Sequence, residues 1–121
     1  IQTFCIDGDG SLLMHMGSLV TNSTNKRKNF KHILLNNNIH ESVGDQKTMV
    51  DKINFKSLIK SLGYKNYYSI KDKNDLIKNL KTFIKSIGPS FLEVKINPGT
   101  MKNLERPKNL DELKKEFMKK F

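Results

Sequence analysis

Two groups of polar residues in this chain have the types and positions needed to hold a metal ion and a phosphate. In the first, Gly8 and Gly10 flank Asp9 directly after an apolar run. Glycine lets a backbone turn tightly and brings its N–H groups close to an anion, and Mg²⁺ takes carboxylates alongside phosphate oxygens and water. The second group, residues 36–38, is a run of asparagines after another apolar run. If the two apolar runs form neighbouring strands, the two groups lie at one edge, and together they predict an anchor for Mg²⁺ and a diphosphate.

The apolar pattern along the chain predicts the elements that must bring these two groups together. It places strands at residues 2–6, 32–35, 67–70 and 91–96, and helices at residues 11–22, 55–62, 73–87 and from Asn109 onward. Such alternation is typical of a parallel sheet covered by helices, in which ligands bind beyond the carboxyl ends of the strands. We therefore predict an α/β fold, a three-layer parallel sheet that is incomplete at its N-terminal edge.

Local signals predict where several elements end. Gly63 and Gly88 are predicted to terminate the second and third helices, and residues 39–53, which have no clear period, are predicted to form a loop. A capping-box pattern starts the last helix, whose apolar stripe consists of Leu113, Phe117 and Phe121. We assign residues 1–121 to one domain and residues 97–121 to its C-terminal tail and helix.

The charge of the chain limits its classes of partner. The net charge is +10, and only Arg27 and Arg106 among the 22 basic residues are arginines. A basic balance suits anionic partners, but the lysines are scattered and lack the interleaved aromatic residues of a nucleic-acid-binding face. A nucleic-acid-binding protein is the non-enzyme alternative, and it predicts salt-sensitive binding that does not depend on Asp9.

The remaining composition indicates a cytoplasmic protein with no membrane partner. Cys5 is the single cysteine, which excludes an internal disulfide and fits a reducing compartment. No apolar run reaches the roughly 18 residues of a membrane span. The chain begins at Ile1 without a methionine or a basic leader, and we expect it to be a fragment or a processed chain.

The two polar groups resemble the diphosphate-binding motif of thiamine diphosphate (TPP) enzymes. In that family a Gly-Asp-Gly opens the motif and an asparagine pair after a strand closes it, as Asp9 with its glycines and Asn36 with Asn37 do here. Residues 10–19 and 40–48 are similar to phosphonopyruvate decarboxylase, with sulfopyruvate decarboxylase next. The similarity extends into the tail, at Gly99, Leu104, Arg106, Pro107, Phe117 and Met118.

This resemblance implies roles for individual residues. Asp9 gives its carboxylate to Mg²⁺, Asn37 its side-chain oxygen and Ile39 its backbone carbonyl. The residues implied to bind the cofactor are Gly8, Asp9, Gly10, Ser11, Asn37, Ile39, His40, Glu41 and Ser42, with the N–H groups of Gly10 and Ser11 and the Ser11 hydroxyl on the diphosphate. Two departures from the family pattern, Asp45 in place of Gly and Lys47 in place of Pro, leave the loop conformation and the choice of substrate open.

The resemblance also implies an activity. It is the TPP- and Mg²⁺-dependent, non-oxidative decarboxylation of an anionic 2-oxo acid, first of all phosphonopyruvate to phosphonoacetaldehyde and CO₂. Sulfopyruvate decarboxylation and an acetolactate-synthase-like reaction are alternatives. In that family the glutamate that activates the cofactor lies on a separate pyrimidine-binding domain, so we assign no catalytic residue here. We expect the isolated chain to be inactive, to need a pyrimidine-binding domain or subunit, and to act in a homodimer or larger assembly.

A phosphatase remains the sharpest rival interpretation. Asp7 matches the nucleophile position of haloacid-dehalogenase-type phosphatases, with Asp9 as acid/base and Mg²⁺ between them. That class needs a later acidic pair after an apolar strand, and the nearest acids, Asp45 and Asp51, follow no predicted strand. A dinucleotide-binding turn is disfavoured because Leu13 stands where its third glycine belongs.

Some of these residues also have purely structural interpretations. Asp9 taken alone is typical of a helix N-cap, and residues 36–38 taken alone are typical of a polar turn. His15, His32 and Cys5 are predicted to be structural. For His40, a site residue and a solvated loop histidine remain equally open.

Overall fold

The computed structural model describes residues 1–101, 103, 105 and 107–120. Its strands and helices follow the predicted order. They are, in chain order, β1 (Thr3–Gly8), α1 (Asp9–Met14), α2 (Gly17–Thr24), β2 (Phe30–Asn36), β3 (Ile39–His40), β4 (Gln46–Lys47), α3 (Phe55–Ser61), β5 (Asn66–Ile70), α4 (Lys73–Lys85), β6 (Ser90–Lys95) and α5 (Leu110–Met118). Short 3₁₀ turns at Glu41–Val43 and Val50–Lys52 flank β4.

Four parallel strands form the main sheet, in the order β1-β2-β6-β5. Because all four run the same way, their carboxyl ends meet at one edge of the sheet. Gly8 at the end of β1 pairs with Leu35, and Asn36 at the end of β2 pairs with Lys95. The predicted α/β parallel fold is confirmed, and both polar groups follow strands that end at this shared edge.

Helices cover both faces of the sheet, as the three-layer prediction requires. Successive residues of a strand point to opposite faces, and the neighbours Phe91 and Leu92 of β6 belong to different hydrophobic clusters. Phe91 packs with α1, α2 and α3 in the larger cluster, which consists of Leu12, Leu19, Leu34, Val50, Phe55, Ile59, Tyr64 and Phe91. Leu92 packs with Phe83 of α4 and with Ile70 on the other face.

The single helix predicted for residues 11–22 is wrong in both its start and its continuity. α1 begins at Asp9 and ends at Met14, and a second helix, α2, begins at Gly17. Leu12 and Leu19 are both buried in the same cluster on either side of the break. Their helical spacing therefore persists across a change of helix, because both helices rest on one face of the sheet.

One loop prediction also changes. The 39–53 loop contains a two-stranded antiparallel hairpin, with Ile39 opposite Lys47.

Asn109 caps α5 as predicted, since its side chain accepts a hydrogen bond from the Glu112 N–H at 3.2 Å. Leu104 and Arg106 of the tail and Phe121 of the predicted stripe lie outside the described residues. Within the part of the chain that is described, no helix is long and apolar enough to cross a membrane.

Gly88 does not cap α4, contrary to prediction. α4 ends at Lys85 with Ser86 as its cap, and Gly88 instead lies against the turn before β2. Its N–H donates to the Lys28 carbonyl at 2.7 Å. A Cβ built on Gly88 would come within 2.4 Å of the Phe30 carbonyl oxygen, so glycine is required here by a close backbone approach.

Gly88→Ala is expected to destabilise the protein, because the added methyl group meets backbone atoms that cannot rotate away. We expect the free energy of unfolding, measured by urea denaturation, to fall by about 2–3 kcal/mol. Gly17→Ala is the matched control, since a Cβ there meets nothing within 4 Å. Its free energy of unfolding should equal or exceed that of the wild type. Equal stability of the two variants would contradict the close approach.

Candidate functional site

A cavity of about 460 Å³ opens at the carboxyl edge of the sheet. All nine residues that the sequence assigns to cofactor binding lie in its wall. The complete lining is Gly8, Asp9, Gly10, Ser11, Leu35, Asn37, Ile39, His40, Glu41, Ser42, Ile96 and Thr100. The structure therefore brings the acidic turn and the asparagine run to a single site, although the role of each residue there stays a prediction.

Asp9 is the buried charge of this cavity. It is 2% exposed and is the first residue of α1, whose N-cap is Gly8, so Asp9 is not the N-cap residue. The Thr48 hydroxyl donates to Asp9 Oδ2 at 2.5 Å, and the Thr48 N–H donates to the Asn38 carbonyl at 3.1 Å. Thr48 thus joins the two polar groups, a role that sequence analysis missed although Thr48 lies in the segment with the family resemblance.

The side chain of Asn37 is held by its own loop. Its Oδ1 accepts from the Ile39 N–H at 3.1 Å, and its Nδ2 donates to Glu41 at 3.2 Å. Glu41 also accepts from the Gly99 N–H, which ties this loop to the segment after β6. An amide oxygen has two lone pairs, so Asn37 Oδ1 can accept from Ile39 and still face a cation.

A buried hydrogen-bond network holds Asn36, the residue before the cavity residue Asn37. Asn36 Nδ2 donates to Glu93 at 2.8 Å, and Asn36 Oδ1 accepts from the Asn38 N–H at 3.2 Å. Glu93, which is 5% exposed, also accepts from the Tyr67 hydroxyl at 2.5 Å and pairs with Lys95 Nζ at 2.7 Å. Glu93 therefore supports the backbone turn at Asn38, whose φ is +62°. In the sequence, the only sign of this role is that Glu93 is an acidic residue within the otherwise mostly apolar strand predicted at residues 91–96.

The protonation states of this network follow from its contacts. Burial raises the pKa of Glu93, but hydrogen bonds from Lys95, Tyr67 and Asn36 and the charge of Lys95 bring the pKa below its usual 4.5. Burial and the bond to Glu93 raise the pKa of Tyr67 well above its usual 10. At neutral pH Glu93 is thus an acceptor and Tyr67 a donor.

His40 lies directly over the first turn of α1. A Cβ on Gly10 would come within 2.5 Å of the His40 ring, so the absence of a side chain at Gly10 permits this packing. His40 lines the cavity and is half-buried. Of the two interpretations left open, this placement favours a residue of the site wall over a solvated loop histidine.

The position occupied by Asp45 has a backbone conformation that favours glycine. Gly44 and Asp45 have φ values of +85° and +57°, and among residues with a side chain Asp and Asn tolerate this region best. Asp45 is exposed and does not line the cavity. The backbone conformation at Asp45 is therefore one that a glycine at this position would also adopt.

Asp7, the nucleophile of the phosphatase interpretation, is engaged outside the cavity. Its Oδ2 lies 2.8 Å from His32 Nε2, and its Oδ1 accepts from the Ser11 hydroxyl at 3.3 Å. Asp7 is not part of the cavity lining, and neither are the exposed acids Asp45 and Asp51. This arrangement does not present the acidic pair that such a phosphatase needs.

The donor set of the cavity fits a hard divalent cation. Asp9, Asn37 and Ile39 offer a carboxylate, an amide oxygen and a backbone carbonyl, all of the oxygen type that Mg²⁺ prefers. Among the described residues, no ion pair includes Asp9. A buried carboxylate needs a compensating charge, and a cation in this cavity would supply one.

The fold and this edge of the sheet define an α/β domain with a cavity suited to a metal and an anionic cofactor. Residues 1–94 match the family described as thiamine pyrophosphate enzyme, C-terminal TPP binding domain. The chain therefore belongs to the TPP enzyme family, as its C-terminal TPP-binding domain.

Individual relatives agree with this assignment. The chain is 34% identical over 103 residues to phosphonopyruvate decarboxylase of Streptomyces viridochromogenes. The aligned region covers 85% of this chain and 26% of that protein. It is 34% identical over 94 residues to the β subunit of sulfopyruvate decarboxylase from Methanothermobacter thermautotrophicus, covering 78% of this chain and 48% of that subunit. The chain thus spans about a quarter of the length of the phosphonopyruvate decarboxylase it matches.

A solved structure supports the fold alone. An X-ray structure from Mycobacterium smegmatis, described as a thiamin diphosphate-dependent enzyme, superposes with a TM-score of 0.62 at 20% sequence identity. The superposition covers 81% of this chain and 18% of that one.

Proposed function

We propose that this chain provides the Mg²⁺ and diphosphate site of a TPP-dependent decarboxylase that acts on an anionic 2-oxo acid. The observation that carries the proposal is Asp9, a buried carboxylate without an ion-pair partner among the described residues, in a cavity that also contains Asn37. Phosphonopyruvate is the first candidate substrate, supported by two phosphonopyruvate decarboxylases at 34% and 33% identity. Sulfopyruvate is the second, supported by relatives that decarboxylate it.

Each residue of the cavity has a proposed task. Asp9, Asn37 and the Ile39 carbonyl hold Mg²⁺. Gly10 and Ser11 lie in the first turn of α1, where backbone N–H groups have no acceptor within the helix, and these groups bind the diphosphate. The remaining wall residues that lie along the diphosphate are Gly8, His40, Glu41 and Ser42. TPP, when bound, supplies the electron sink that stabilises the carbanion left by loss of CO₂.

The chain acts with a partner in this proposal. Residues 1–121 form the diphosphate-binding domain, with residues 97–121 as its C-terminal tail and helix. The activating glutamate comes from a pyrimidine-binding domain or subunit. The β-subunit name of the Methanothermobacter relative supports a separate subunit as one arrangement, and an active site between domains favours a homodimer or larger assembly.

Release of CO₂ by the full-length or two-subunit enzyme tests this function. The enzyme is supplied with TPP and Mg²⁺ and offered phosphonopyruvate, sulfopyruvate and pyruvate in parallel. We expect TPP-dependent release from phosphonopyruvate, and none from this chain alone. Release from sulfopyruvate, or condensation of pyruvate to acetolactate, would identify that compound as the substrate in place of phosphonopyruvate. No TPP-dependent release, with hydrolysis of a phosphate ester instead, would contradict the class and favour Asp7 as a nucleophile.

Thr48→Val is expected to weaken Mg²⁺ binding while leaving the shape of residue 48 almost unchanged. The variant removes the hydroxyl that orients Asp9, and loss of such an outer contact to a metal ligand costs about 10–100-fold in metal affinity. The measurement is Mg²⁺ dependence of TPP binding in the full-length protein. Thr48→Ser keeps the hydroxyl and is the matched control. A normal Mg²⁺ dependence in Thr48→Val would show that this contact does not orient Asp9.

A further inference from the structure

A second group of metal-ligating side chains lies beside the proposed Mg²⁺ anchor, on β1 and β2. Cys5 Sγ, a carboxylate oxygen of Asp7 and a ring nitrogen of His32 all lie within 4.8 Å of one another. Cys5 is directly opposite His32 in the strand register, and Asp7, two residues further along β1, points to the same face. The sheet itself, rather than a mobile loop, therefore gathers these three side chains.

The separations of the ligand atoms are close to those of a tetrahedral metal site. Asp7 Oδ2 lies 2.8 Å from His32 Nε2 and 3.7 Å from Cys5 Sγ. With Zn–S near 2.3 Å and Zn–N and Zn–O near 2.0–2.2 Å, tetrahedral ligand atoms lie about 3.3–3.7 Å apart. Side-chain adjustments of roughly half an ångström to an ångström convert one arrangement into the other.

Nearby polar groups lack the partners that a buried site normally provides. His32 is 0% exposed, and its ring packs between Phe30 and Phe91 with Nδ1 unpartnered among the described residues. Nε2, which faces Asp7, is therefore the ring nitrogen that could bind a metal in this cluster. The Tyr64 hydroxyl is also buried without a hydrogen bond of normal geometry in the described part of the chain.

Tyr64 belongs to the surroundings of this cluster. Burial raises the pKa of Tyr64 to about 12; the nearby Asn22 side chain lowers it, and Cys5 and Asp7 raise it further. The Tyr64 hydroxyl therefore lies within electrostatic range of Cys5 and Asp7.

A thiolate at Cys5 and a carboxylate at Asp7 together would neutralise the two positive charges of a divalent cation. The ligand set of sulfur, nitrogen and oxygen suits Zn²⁺, whereas the all-oxygen set around Asp9 suits Mg²⁺.

We propose that Cys5, Asp7 and His32 form a second cation site, for a thiophilic divalent ion such as Zn²⁺, with one coordination position open. This site differs from the Asp9 cavity, and its existence does not require the proposed decarboxylase function. It changes the interpretation of Cys5 and His32, which the sequence alone assigned to packing.

Titration of the full-length protein with Co²⁺, after removal of bound metals by a chelator and then of the chelator, tests this site. Co²⁺ takes the place of Zn²⁺ and gives a near-ultraviolet charge-transfer band when a thiolate binds it. We expect one such Co²⁺ for each copy of the chain, displaced by Zn²⁺. Since outer-shell changes alone cost about 10–100-fold in metal affinity, Cys5→Ser and His32→Gln should each weaken Zn²⁺ binding at least about 100-fold.

Two further measurements separate this site from the Mg²⁺ anchor and from misfolding. Asp9→Asn should keep the charge-transfer band, and Cys5→Ser, an isosteric change in a partly exposed residue, should keep the wild-type circular dichroism spectrum. A band that persists unchanged in Cys5→Ser, a wild-type Zn²⁺ affinity in that variant, or the absence of any band in the wild-type protein would overturn the proposal.

Discussion

Asp9→Asn is expected to reduce the Mg²⁺-dependent affinity for TPP at least about 100-fold, with a matching loss of decarboxylation. Asparagine keeps the shape of the side chain and an oxygen ligand, and it can still contact Thr48. It removes the negative charge that balances the cation in a site where Asp9 is 2% exposed. The measurement is a titration of the full-length protein with TPP at fixed Mg²⁺.

The same variant should behave in the opposite way without the cofactor. A buried carboxylate without a counter-charge disfavours folding, and no ion pair among the described residues includes Asp9. We therefore expect the metal-free Asp9→Asn protein to unfold at an equal or higher free energy than the wild type. Asp51→Asn, which neutralises an exposed carboxylate, is the matched control and should change neither property. Normal TPP affinity in Asp9→Asn would show that Asp9 is not a metal ligand.

Glu93→Ala is expected to give the largest loss of stability. The change leaves the Asn36 amide, the Tyr67 hydroxyl and Lys95 without their shared acceptor. Removing one member of a buried charged network costs about 3–5 kcal/mol. Urea denaturation measures this loss, and TPP affinity should fall as well because the turn at Asn38 loses its support.

The pH dependence of stability separates the charge of Glu93 from its shape. Because the pKa of Glu93 in the folded protein lies below its usual 4.5, its charge stabilises the fold above about pH 4.5, and that contribution is lost as the pH falls through the folded pKa. Glu93→Gln is nearly isosteric and lacks this titration. The difference in unfolding free energy between wild type and Glu93→Gln should thus shrink below about pH 4.5. A difference that stays constant with pH would contradict the charged network.

Sequence patterns predicted a parallel sheet and the edge at which the cavity lies, but not the order of the strands. The apolar runs before Asp9 and before Asn36 marked two strands of one parallel sheet, and polar residues at two strand ends marked a common edge. These features are local in sequence. The assignment of nine residues to cofactor binding followed from the family resemblance.

The features that were missed depend on contacts between distant parts of the chain. Thr48 and Asp9 are 39 residues apart, and Asn36 and Glu93 are 57 apart, so no periodicity reports either bond. Gly88 carries the local signal of a helix cap, but its backbone neighbour Phe30 determines its role. The break between α1 and α2 was missed because the apolar face of Leu12 and Leu19 continues across it.

This chain is proposed to anchor TPP through a divalent cation. Titration of the full-length protein with TPP, in Mg²⁺, in EDTA, and after Mg²⁺ is restored, tests that anchor. We predict saturable binding of one TPP for each copy of the chain in Mg²⁺, loss of binding in EDTA, and recovery with Mg²⁺ alone. TPP binding that is unaffected by EDTA, or no binding in Mg²⁺, would contradict a cation-dependent TPP site.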